Sequence, residues 1–147
     1  MTSIAWDGET LASDSLTTDD GYVVDRTFKK IRHISTDLRG ERTIAYAVAG
    51  DMEAFYPVKH WINGGCESRL PRDLDFQGLI VTKTKVYLFS SKTKDHLYET
   101  KNIAALGTGA PFLISAMTLG LNAKESIKHA IKLDTQSGGK IRSICCR

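Results

Sequence analysis

The apolar and polar positions change period several times along the chain, and each change marks an element. Ile4-Ala5-Trp6 and Leu11-Ala12 flank Asp7-Gly8-Glu9, so residues 2–16 read as a strand hairpin around a glycine turn. Residues 28–34 alternate, with Phe28, Lys30, Arg32 and Ile34 on one side and Lys29, Ile31 and His33 on the other, which predicts a strand. Ile44 to Ala49 is a short apolar run without helical period, a buried strand that ends at Gly50-Asp51. Beyond Asp51 the stripe Ala54, Phe55, Val58, Trp61, Ile62 is one face of a helix, with Pro57 expected to kink it and Gly64-Gly65 to stop it. A polar connection over 66–75 leads to a second hairpin, Phe76 to Thr82 and Lys85 to Ser91, then to short strands at His96 to Tyr98 and Ile103 to Leu106. Gly107-Thr108-Gly109 opens a helix that carries Pro111 in its first turn and closes at Gly120. Asn122-Ala123-Lys124-Glu125 has capping-box spacing ahead of a helix burying Ile127, Ala130 and Ile131, which runs toward Asp134 and Gly138-Gly139. Ile141 to Cys146 is a last strand. Hairpins dominate, so the predicted class is α+β with mostly antiparallel sheets.

Composition narrows this picture only modestly. A chain of 147 residues, 41% hydrophobic and 25% charged, is expected to be one globular domain over 1–147 with a real core. A net charge of +3 is too small to point to nucleic acid or an anionic membrane as partner. No apolar run reaches spanning length, and Asp7, Glu9 and Asp14 interrupt the first residues, so neither a membrane span nor a signal peptide is expected. Three cysteines, two of them adjacent at Cys145-Cys146, do not make a disulfide framework; a cytoplasmic location is expected, with no cofactor and no structural metal.

The candidate chemistry begins at the N-terminus. Met1 precedes a small residue and is expected to be trimmed, which would leave Thr2 with a hydroxyl nucleophile and a free α-amine on one residue. That pairing needs partners, and Asp14, Lys30 and the late segment Asp134-Thr135-Gln136-Ser137-Gly138-Gly139 are candidates.

Several segments in order resemble the N-terminal-nucleophile (Ntn) hydrolases, and within them the proteasome β-subunit and HslV. Thr-x-Ile at 2–4 is similar to the family's mature N-terminus. Ala12 to Thr18 resembles its first aspartate segment, Lys29-Lys30-Ile31 its lysine strand, Ala49-Gly50 its oxyanion-hole glycine, and Asp134-x-x-Ser137-Gly138-Gly139 its late acid-and-serine segment. The stretch from Gly50 to Phe76 is shorter than in the family, with one helix where the family has two. The hairpin over 5–12 is also shorter, and Thr108 stands where the family has a serine between two glycines.

The resemblance implies a four-layer α-β-β-α sandwich and a threonine peptidase working through an acyl-enzyme. Thr2 would be nucleophile and, through its α-amine with an ordinary pKa of about 8 acting by way of a water, base. Lys30, with Asp14 as counter-ion, would lower the pKa of that amine. Asp134 and Ser137 would hydrogen-bond around it and orient it, Thr108 would keep the hydroxyl of the family's serine, and Gly50 would donate its N–H to the oxyanion. Thr17, Thr18, Phe28, Val48 and Met52 align with the substrate cleft. A peptide or unfolded-protein substrate, a homo-oligomeric assembly and an unfolding ATPase as a possible partner follow from the same resemblance. The alternatives are a catalytically inactive proteasome-like structural subunit, an Ntn amidase acting on small amides, and a basic binding module built on residues 28–33.

Overall fold

The computed structural model describes residues 2–93 and 96–147, which form two compact units: residues 2–31 with 102–147, and residues 32–101. Met1, whose removal is expected, lies outside the described residues.

In the first unit, the N-terminal hairpin forms as predicted, with strands β1 (Ile4–Trp6) and β2 (Thr10–Ser13). The Asp7 carboxylate accepts from the Glu9 and Thr10 amides within the turn, and from the Ala123 amide at the start of a later helix. A second hairpin follows, β3 (Thr17–Asp19) and β4 (Tyr22–Asp25), which the pattern does not predict. Its turn is Asp20-Gly21, with φ of 45° and 84°. The remaining elements of this unit are β11 (Ala104–Leu106), α2 (Ala110–Thr118), α3 (Ala123–Ile131) and β12 (Arg142–Cys145). The sheet order is β11-β1-β2-β12, antiparallel throughout. Helices α2 and α3 bury Leu113, Met117, Ala123, Ile127 and Ala130 against Ala5 and Ala12 of the sheet. The small alanines let the helices lie close to the strands, and Thr2, Ser3 and Ile4 are interior.

In the second unit, β5 (Ile31–His33), β7 (Glu41–Gly50), β8 (Phe76–Thr82), β9 (Val86–Ser90) and β10 (Tyr98–Thr100) form a sheet in the order β10-β9-β8-β7-β5, with β6 (Asp37–Leu38) pairing on β7. Helix α1 (Phe55–Asn63), preceded by a 3-10 turn over Met52–Ala54, sets Trp61 against Phe89 of β9 at 5.1 Å between ring centroids. Gly78, opposite Phe89, leaves the space this ring occupies.

Two local expectations need correction. Pro57 does not kink α1: the helix begins at Phe55, so proline falls in the first turn, where its missing N–H has no intrahelical partner to lose. Residues 28–34 do not form one alternating strand. Only Ile31–His33 pair, Lys30 and Ile31 are both buried, and Arg32 and His33 are both exposed. The cause is Lys30, whose ammonium turns inward to two fixed oxygens.

Candidate active site

Two carboxylates organise the interior of the first unit. Asp14, just beyond β2, is fully buried. Its Oδ1 accepts from the Lys30 ammonium at 2.8 Å and from the Ser3 amide at 3.0 Å. Its Oδ2 accepts from the Gly138 amide at 3.0 Å and the Leu16 amide at 3.4 Å. Lys30, 2% exposed, also donates to the Leu16 carbonyl at 2.5 Å. Burial strips water from this ammonium and lowers its pKa; the charge and hydrogen bond of Asp14 oppose the shift without cancelling it.

Asp134 follows α3 and is met by hydroxyls. Its Oδ2 accepts from Ser137 Oγ at 2.6 Å and Thr108 Oγ1 at 2.7 Å, and its Oδ1 from the Gln136 amide at 3.1 Å. Burial alone would raise the pKa of this carboxyl; those donors outweigh it and hold the group below its ordinary value. Thr108 spends its single proton on Asp134, the nearer acceptor, so its oxygen is left to accept from the Thr2 nitrogen at 3.3 Å. Thr108 therefore does not cap α2: the cap position is Gly109, with no side-chain bond to the helix.

The backbone holds residue 2 as well. The Thr2 carbonyl accepts from the Gly109 amide at 3.2 Å, and a Cβ on Gly107 (φ 90°) would strike that carbonyl. Thr2 is 3% exposed, not a frayed end. The Ser137-Gly138-Gly139 segment is likewise more than a turn. The Gly138 carbonyl accepts from the Ser15 amide at 2.9 Å, and a Cβ on Gly139 (φ 73°) would collide with the Arg26 carbonyl.

The first unit thus gathers Thr2, Asp14, Lys30, Thr108, Asp134 and Ser137 into two linked hydrogen-bond clusters. Thr17 opens β3 and is buried, Thr18 is half-buried, and Phe28 is half-buried with its amide on the Ser15 carbonyl at 3.1 Å. The second unit holds Val48, buried in β7; Gly50, at the end of β7 with φ 121°; and Met52, exposed in the turn before α1. Gly50 is required by its own strand pair, because a Cβ there would clash with the Asp75 carbonyl. The sequence pattern does not single out Ser3, and it gives Gly107 and Gly109 no role beyond flanking Thr108; the structure shows both glycines in close approach to residues 2 and 3.

Solved structures share this architecture. HslV from Trypanosoma brucei superposes with a TM-score of 0.70 at 14% identity, covering 97% of each chain. BPH from Thiobacillus denitrificans in complex with epoxomicin gives 0.64 at 16% identity over 97% of this chain and 96% of that one. The same protein in a second structure gives 0.61 at 17% over 97% and 95%. The fold is that of HslV and the proteasome-like Ntn hydrolases. No family model matches the sequence, and no curated protein does. The HslV-like likeness establishes the α+β sandwich class and leaves the chemistry to be argued from the residues. Among the described residues no cluster of three His, Cys, Asp or Glu could hold a metal ion, and no helix is long and apolar enough to cross a membrane.

Proposed function

We propose that the chain is a threonine-type Ntn peptidase with Thr2 as nucleophile. The observation that carries this reading is the nitrogen of Thr2. It donates to a hydroxyl already committed to Asp134, while the next amide along the chain is fixed on the Asp14–Lys30 pair. A structural N-terminus needs neither a buried lysine nor a carboxylate fed by two hydroxyls.

Removal of Met1 converts that peptide nitrogen into an α-amine. With one N–H directed at Thr108, the neutral amine keeps a lone pair for the Thr2 hydroxyl proton. Thr2 Oγ1 then adds to the substrate carbonyl carbon to give a tetrahedral intermediate. Collapse breaks the C–N bond, the proton passes to the departing amine, and an ester remains on Thr2. Water then gives a proton to the same α-amine and adds to the ester carbonyl; the C–O bond to Thr2 breaks, the acid leaves, and the proton returns from the amine to Thr2 Oγ1. The Lys30 charge disfavours protonation of the amine and so keeps it a base near neutral pH.

The same reading takes peptides or unfolded protein as substrate, in a homo-oligomer. The basic-module alternative is weakened by Lys30, whose charge is buried and paired rather than displayed. An amidase of small amides uses the same constellation and differs only in substrate. The test is hydrolysis of a fluorogenic peptide panel by the wild type and Thr2→Ala. Turnover lost in Thr2→Ala with an unchanged melting profile supports the reading; equal turnover in both removes it.

A further inference from the structure

Ser3 is fully buried and tied to both carboxylate clusters. Its amide donates to Asp14 Oδ1, and its carbonyl accepts from the Asp14 amide at 3.1 Å. Its hydroxyl lies 2.7 Å from Ser137 Oγ. Ser137 has one proton and gives it to Asp134 Oδ2, so in the Ser3–Ser137 contact Ser3 is the donor. The protons then run in one direction: Ser3 to Ser137, Ser137 to Asp134, with Thr108 converging on the same carboxylate oxygen. A second observation is independent of the bonds. The space beside the Ser3 hydroxyl is kept open by Gly109, where a Cβ would overlap Ser3 Oγ. Gly109 has φ −79°, which any residue adopts, so its backbone does not demand glycine.

We propose that Ser3 is a positioning residue for the reaction, acting through Ser137 and Asp134 to hold the nitrogen of Thr2, and that Gly109 is glycine to admit its hydroxyl. The proposal rests on the peptidase reading. With the Ser3 hydroxyl gone, Ser137 still donates to Asp134, but its oxygen loses the donor that fixes the direction of that bond. Asp134 is then less firmly oriented between Ser137 and Thr108, and the angle at which Thr108 receives the amine loosens. Ser3 touches no reacting atom, so substrate affinity is untouched and the chemical step slows.

Three variants test this: Ser3→Ala, Gly109→Ala and the double variant. For each, peptide turnover is measured together with the rate at which a peptide epoxyketone modifies Thr2, and melting profiles verify folding. Ser3→Ala is expected to lower kcat about tenfold, the scale of one buried hydrogen bond, with KM within about twofold of wild type. Gly109→Ala is expected to be slower still, since its methyl displaces the hydroxyl. Adding Ser3→Ala to it should raise kcat to near the Ser3→Ala level, because the new methyl then meets the Ser3 Cβ at 3.1 Å, a contact that a small shift relieves. Wild-type kcat and labelling rate in Ser3→Ala would overturn the proposal, as would a double variant no faster than Gly109→Ala. A wild type that neither hydrolyses peptides nor takes the label would instead defeat the peptidase reading.

Discussion

The two carboxylates of the first unit are bound in opposite ways. Asp14 is held by three backbone amides and one ammonium. Asp134 is held by two hydroxyls and one amide. Amides fixed by strands and turns cannot rotate, so the Asp14 cluster is a rigid electrostatic frame. Each hydroxyl has one proton, and here each is committed, Ser3 to Ser137 and both Ser137 and Thr108 to Asp134, so the Asp134 cluster sets the direction in which the nitrogen of Thr2 donates. The difference teaches that a buried charge pair and a polar network serve different ends even when one residue, Ser3, is bonded to both: one fixes a field, the other fixes directions.

The sharpest way to break this contrast is at Lys30. Lys30→Ala leaves the Asp14 charge buried without its counter-ion, and a loss of about 3–5 kcal/mol in unfolding free energy is expected, with turnover abolished. Lys30→Arg should also fail to turn over, since a planar fork cannot occupy the place of a compact ammonium between Asp14 and the Leu16 carbonyl. Lys30→Met combined with Asp14→Asn should regain most of the stability and none of the activity. The pH dependence has a definite sign. Because the folded pKa of Lys30 is lowered, the unfolded chain holds more protons between that value and 10.5, so stability rises with pH across this window in the wild type. The Lys30→Met variant should lack that slope in urea titrations taken at successive pH values.

A smaller effect is expected at Asp134. Asp134→Asn should lower kcat on the order of a hundredfold, as loss of a group organising proton transfer does. Its folded pKa is lowered, so its contribution to stability is complete above the ordinary 3.8 and is lost as pH falls through the folded value. The asparagine variant should show a flatter acid limb in the same titrations. An unchanged limb would mean that the hydroxyl network does not hold the carboxylate ionised.

The smallest effect separates hydroxyl from methyl at Thr108. Thr108→Ser keeps the bonds to Asp134 and Thr2 and should stay within about threefold of wild-type kcat, whereas Thr108→Val should lose about tenfold. A larger loss in Thr108→Ser than in Thr108→Val would show that the methyl packs rather than the hydroxyl positions.

Much of this was legible in the residues, for identifiable reasons. The hairpin of β8 and β9 and the run in β7 announce themselves because their buried positions are β-branched, aromatic or aliphatic over several residues. The β3–β4 hairpin did not, since Tyr22, Val23 and Val24 are all exposed and no buried face imposes alternation; only Asp20-Gly21 marked it. Lys30 is a candidate site residue that the alternation places in a strand, where a reach to two buried oxygens overrides the period of two. Asp14, Asp134 and Ser137 become candidates only through resemblance and order, and they lie in the same hydrogen-bonded clusters as Lys30 and Thr108. Ser3 does not become one, because a serine beside a nucleophile is chemically plain until Gly109 is seen to make room for it.

The central claim is that Thr2, freed of Met1, carries both nucleophile and base. The most direct measurement is the intact mass of the chain after treatment with a peptide epoxyketone, followed by mapping of the modified residue. This reagent needs a hydroxyl and an amine on one residue to close its ring. Cys66 is a poor competing target, since burial pushes its thiol up to about 12, which leaves exposed Cys145 as the informative control. The account predicts a chain beginning at Thr2 that carries a single adduct mapped to Thr2. An active preparation that retains Met1, or an adduct on Cys145 with Thr2 unmodified, would contradict it.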